Sequence, residues 1–189
     1  MKALRSHLAL KNPRFECWDL ERKHSLTVKL RSAVGKPATV RELKSLQKLA
    51  AREYAALEPL YREFNGLTLH MHRDTAGLAI APIRELSAFA DDSNTLLFGD
   101  EAEHYPFQRE GVPFATIVAS GNYFVIHKGK VYYSDHDGGD DSVWGTDLEG
   151  FFRRALRDPP RFLYDAGCYT RYSDGKTDTQ FIPETFIHD

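Results

Sequence analysis

The run FATIVASGNYFVIHKGKVYYSDHDGGDDSVWGTDLEGFFRRAL, Phe114 to Leu156, decides the fold. Ala115 to Ser120, Tyr123 to His127 and Lys130 to Ser134 are short runs rich in β-branched and aromatic residues, which pack well on a pleated surface. Gly121-Asn122 and Lys128-Gly129 separate them, with glycine where a tight connection calls for positive φ. The pattern predicts a meander of short strands. After an acidic loop, Thr146-Asp147-Leu148-Glu149 has capping-box spacing, with Thr146 at the N-cap. Leu148, Phe151, Phe152, Ala155 and Leu156 then recur at helical spacing and predict one apolar face.

Upstream, a second capping box, Thr39 with Glu42, opens a long helix whose stripe is Leu43, Leu46, Leu49, Ala50, Tyr54 and Leu57. Pro59 is expected to interrupt it and to start a short helix over 60–64, closed by Asn65-Gly66. Strands are predicted at Leu67 to Met71 and Leu78 to Ala81, and a short helix at Ile83 to Phe89. The polar stretch 91–103 reads as an excursion with one short helix near 100–105. Pro106 and Pro113 frame a loop into the meander. Nearer the start, 15–20 and 25–30 alternate and are expected to pair as a hairpin. Residues 1–14 lack periodicity and are expected to begin without order. Asp158-Pro159-Pro160 stops the last helix.

These pieces predict an α+β fold in a single domain, with a central antiparallel sheet packed against helices. The expected organisation is an N-terminal extension over 1–38, the α+β domain over 39–157, and a C-terminal tail over 158–189 lying on the domain. At 189 residues, 42% hydrophobic, the chain is long and apolar enough for one sizeable core. A net charge of −2 gives no general attraction to nucleic acid or an anionic membrane. No apolar run has the length to span a bilayer, so no membrane partner and a cytoplasmic location are expected. Cys17 and Cys168 form no CxxC pattern and read as isolated reduced thiols, with a single disulfide as the alternative.

The most conspicuous polar cluster is Asp135-His136-Asp137-Gly138-Gly139-Asp140-Asp141. Carboxylates and glycines suit a hard cation, but the EF-hand positions fail: the sixth is Asp140 and the twelfth is Thr146. The same acids also suit the N-terminus of the following helix. His70 and His72 would share a face of a regular strand, and with the 135–141 loop they define the one metal-hydrolase alternative. Arg41, Lys44, Lys48 and Arg52 mark a basic side of the long helix, read as a solvated face, with contact to phosphates or an acidic protein surface as the runner-up. Ser120 and Cys168 lack the motif partners of a nucleophile, and no Walker A, GxGxxG or GxSxG run occurs. No catalytic residue, metal or cofactor is assigned.

Several of these pieces, in order, resemble the SUKH superfamily of fungal cell-wall-assembly regulators and bacterial toxin-immunity proteins. The matching segments are Leu57 to Gly66, Leu78 to Leu86, Pro113 to Phe124, Lys130 to Asp137 and Leu148 to Phe152. The likeness covers roughly 39–157; residues 1–38 and those after Pro159 have no counterpart. It implies an α+β fold and a non-enzymatic role in binding a protein, in immunity members a toxin. A nuclease-like toxin carries a basic surface, which makes Asp135, His136, Asp137, Asp140 and Asp141 the expected partner contact. A regulatory or scaffold role is the other binding alternative.

Overall fold

A computed structural model describes residues 1–10, 14–19, 23–72, 76–97, 105–118, 120–136, 142–167 and 181–183. The meander forms at the expected positions and lies within a larger sheet. Strands β3 (Arg31–Val34), β4 (Leu67–His72), β5 (Ala76–Ile80), β6 (Val112–Ile117), β7 (Tyr123–His127), β8 (Lys130–Ser134) and β9 (Val143–Gly145) join in chain order as one seven-stranded sheet. Every neighbouring pair is antiparallel. Between β7 and β8, Lys128 and Gly129 both take positive φ, 52° and 75°, as a type I′ hairpin requires. The fold is α+β, a single domain.

The sheet's two faces are covered by different helices. Helices α6 (Leu148–Arg157) and α7 (Pro159–Asp165) cover one face. There Phe124 lies 4.9 Å from Phe151 and 5.6 Å from Phe162, ring centre to ring centre. Along β7 side chains alternate, so Tyr123, Val125 and His127 face the other way. That side is closed by α4 (Leu86–Leu97), whose Phe89 meets Tyr123 at 5.7 Å, and by α5 (Pro106–Glu110), whose Phe107 stacks on Tyr132 at 4.7 Å. With helices on both faces, all five residues of β7 are buried.

Several boundaries fall elsewhere than the sequence suggests. The long helix does not break at Pro59. It breaks at Ala50 (φ −121°, ψ 44°), giving α2 (Val40–Leu49) and α3 (Tyr54–Tyr61), with Pro59 inside α3. The acceptor freed by the proline, the Ala55 carbonyl, belongs to an exposed residue and stays open to water. The break places the buried Glu53 carboxylate under the β7–β8 turn, where it accepts from Lys128 N–H (2.7 Å) and Gly129 N–H (2.9 Å). No local pattern announces a bond spanning 75 residues.

Helix α4 runs on to Leu97, beyond the expected end at Phe89, because Ser93 continues its buried stripe while Asp91 and Asp92 face water. The expected helix near 100–105 lies mostly outside the described residues. The next helix, α5, starts at Pro106, so the stretch between Pro106 and Pro113 is not a loop. Pro113 lies within β6 beside a register shift, where a missing N–H is tolerated. The N-cap of α6 is Asp147 rather than Thr146: its side chain accepts from Gly150 N–H at 2.6 Å. Glu149 instead accepts from the backbone N–H groups of Lys2 and Ala3, at 3.0 and 2.9 Å.

That last contact explains the start of the chain. Residues 2–8 form helix α1, against the expectation of disorder, with Leu4 fully buried. Glu149 closes its first turn from a distance, and Arg5 forks onto Glu63 at 2.6 Å. The expected hairpin forms as β1 (Arg14–Asp19) and β2 (His24–Lys29), with β10 (Phe181–Pro183) on its far edge. The fold thus continues past both borders of the 39–157 segment: β3 pairs with β4, and Phe162 and Leu163 of α7 are buried in the core. Among the described residues no helix is long and apolar enough to cross a membrane.

Candidate protein-binding site

The candidate loop grows from a buried asparagine. Gly121 takes φ +82°, a conformation that few side chains allow, and turns the chain so that Asn122 enters the interior. Asn122 Nδ2 donates to the Tyr133 hydroxyl (2.6 Å) and to the Ala166 carbonyl (3.3 Å). Its Oδ1 accepts from His136 N–H at 3.1 Å and lies 2.7 Å from His136 Nδ1. One side chain therefore ties together the β6–β7 turn, strand β8, the end of α7 and the first residues of the acidic loop.

The loop is also closed at its base. Tyr133 N–H donates to the Ser142 carbonyl (3.3 Å), and Trp144 Nε1–H donates to the Ser142 hydroxyl (2.8 Å). Gln108 of α5 donates to the buried Ser134 at 3.2 Å. Asp135 and His136 stand on this stem with side chains 34% and 35% exposed, accessible yet anchored. Asp137, Asp140 and Asp141 lie outside the described residues.

His70 is placed differently. It has φ +57° within a register shift of β4, so the strict alternation that would align it with His72 is broken. Its fully buried ring meets His7 of α1 edge to face, with centroids 5.0 Å apart. Neither ring nitrogen of His70, nor Nε2 of His7, has a hydrogen-bond partner among the described residues. Burial, aided by the neighbouring His7, pushes the His70 imidazole down to about 3, with the Ala155 backbone only partly offsetting the drop. Burial also lowers His7. His136 is engaged with Asn122, and among the described residues no three His, Cys, Asp or Glu side chains converge as metal ligands.

The remaining candidates have ordinary roles. Ser120 Oγ donates to the Ile117 carbonyl and accepts from Asn122 N–H, holding the turn. Arg41, Lys44 and Lys48 are exposed on α2, and Arg52 pairs with Glu110 at 3.4 Å. Cys168 lies outside the described residues.

One surface was not singled out from the sequence. Arg153, Arg154 and Arg157 of α6, with Arg161 of α7, line a shallow groove of about 990 Å³. The signal was present: four arginines within nine residues, two of them a helical turn apart on the polar side of an amphipathic helix.

Compared with known proteins, the chain matches no family model, and no curated protein matches it.

Proposed function

We propose that the chain is a non-enzymatic protein-binding module, an immunity-type protein that neutralises a toxin by holding it, and that it acts in the cytoplasm. The observation that carries this reading is the construction of the 134–142 loop. Its stem is tied by Asn122 and closed by Tyr133 and Ser142, so Asp135 and His136 are offered at the surface without a large ordering cost. An acidic loop held this way is complementary to a basic protein surface such as that of a nuclease-like toxin.

The residues behind the SUKH-like resemblance support the reading, because they serve packing. Tyr61 donates to the Ala81 carbonyl at 2.9 Å. Asn65 donates to Glu42 and accepts from Ile83 N–H, both at 2.8 Å. Asn122 is the tie just described, and Phe151 and Phe152 are fully buried. A scaffold whose motif residues face inward leaves recognition to its surface.

The test is co-expression with the product of the neighbouring gene, followed by affinity capture. The full chain should protect cells from that product and retain it on a column. Replacing Asp135, Asp137, Asp140 and Asp141 with asparagine should abolish both effects. A chain that protects against no neighbouring product ends the immunity reading.

A further inference from the structure

The groove over α6 and α7 presents two cations, Arg153 and Arg157, with no ion-pair partner among the described residues. Each arginine with an ion pair among the described residues sits at a surface carboxylate: Arg5 at Glu63, Arg52 at Glu110, Arg62 at Glu58, Arg84 at Glu85 and Arg161 at Asp165. Arg153 and Arg157 are exposed and have no such partner among the described residues. They stand one helical turn apart on the same face, where like charges repel and weaken the helix. The helix dipole favours cations only in the last turn, so it accounts for Arg157 and not for Arg153. Next to them Arg154 is held with its guanidinium 3.8 Å over the Trp144 ring.

The acids of the groove are already engaged. Asp158 accepts from Arg161 N–H at 3.2 Å and so caps α7, and Asp165 holds the Arg161 guanidinium at 2.8 Å. Among the described residues they leave the Arg153–Arg157 pair without a carboxylate, yet as lining residues they put two carboxylates in the groove that a long polyanion would have to pass. The end of α7 also adjoins the stem of the acidic loop through Asn122 and Ala166. A continuous phosphate backbone meets repulsion on that course. Discrete carboxylates one helical turn apart do not, and guanidinium forks match carboxylates bidentately.

We infer that this groove is a docking surface for an acidic protein segment carrying carboxylates about one helical turn apart, roughly 6 Å. The contact is made by the arginine pair, so it does not require the acidic loop to bind a partner. It gives the module a second, oppositely charged contact beside the first, so that a partner with both signs of charge is recognised in one orientation.

The experiment uses the full chain and a fluorescently labelled alanine-based helical peptide with glutamates at i and i+4, read by anisotropy at low salt. A single-stranded oligonucleotide is the comparator. Arg153→Gln with Arg157→Gln should weaken peptide binding by about tenfold or more, since two charge-assisted contacts are lost. The melting temperature should hold or rise as the like-charge repulsion is relieved. Asp140→Asn with Asp141→Asn should leave peptide binding no weaker. Equal binding by the chain and its double-glutamine variant overturns the inference. An oligonucleotide that binds more tightly than the peptide, and loses that binding in the same variant, overturns it in favour of nucleic acid.

Discussion

Asn122→Ala tests the tie that holds the loop stem. The substitution removes the two Nδ2–H bonds and the Oδ1 acceptor in one step. The consequences differ by burial. His136 is 35% exposed, so its freed N–H turns to water at small cost. The Tyr133 hydroxyl and the Ala166 carbonyl belong to residues 4% and 0% exposed, and each ends one partner short without water to replace it. Two such groups at about 1–3 kcal/mol each, with some relaxation, give a loss of roughly 2–4 kcal/mol. For a domain of this size that lowers the melting temperature by roughly 5–15 °C. Guanidinium unfolding should show a lower midpoint at unchanged slope. His136→Ala keeps the backbone N–H bond to Asn122 and gives up contacts of a partly exposed ring, so it should stay within about 0.5 kcal/mol of the parent. An Asn122→Ala variant less than about 1 kcal/mol weaker, or one matched by His136→Ala, would show that the buried bonds are not what holds the stem.

Acid should weaken the fold through His70. Its titration is depressed from 6.5 to about 3, so the unfolded chain binds the extra proton; stability is complete above 6.5 and drains as pH falls toward 3. By pH 5 the loss from His70 alone is about 2 kcal/mol, and His7 adds in the same direction. Denaturation midpoints between pH 8 and 5 should follow this slope, and His70→Asn should flatten it; parallel slopes would contradict a buried neutral ring. Glu53→Ala leaves the β7–β8 turn without its acceptor and should cost about 1.5–3 kcal/mol, with Glu53→Gln intermediate, read by thermal melting. Glu149→Ala removes the cap of α1 and should cost about 1 kcal/mol. Hydrogen exchange in that variant should speed up at 2–8 and not in β7; uniform acceleration would mean that α1 is not a separate unit.

What the sequence reveals depends on how far a residue's partner lies along the chain. The β7 and β8 runs and the Thr39–Glu42 cap are local, so alternation, turn glycines and spacing find them. Glu149 looks like the N3 of a capping box only while its neighbours are considered; its real ligands are Lys2 and Ala3, 147 and 146 residues away. The same distance hides α1, whose seven residues carry little helical signal without that carboxylate and the packing of Leu4. Pro59 misleads for a different reason: a proline reads as a stop, whereas the real break serves Glu53. At the site, the acidic run is plain in the sequence. Asn122, which ties His136 near its start, looks like an ordinary turn residue until its bond to Ala166 is seen. The His70 bulge likewise defeats a pairing with His72 that rested on ideal period two.

The bond from Tyr133 to Ser142 also bears on how this surface can change. A loop whose two ends are already held together loses little more entropy as it lengthens. Each doubling of its length adds only about 0.6 kcal/mol, small beside the stabilisation expected from the Asn122 tie. Insertions, deletions and wholesale exchange between Ser134 and Ser142 are therefore nearly free of consequence for the sheet beneath. Selection, or an engineer grafting new segments, can rewrite the chemistry of this surface while the chain keeps one unchanged chassis.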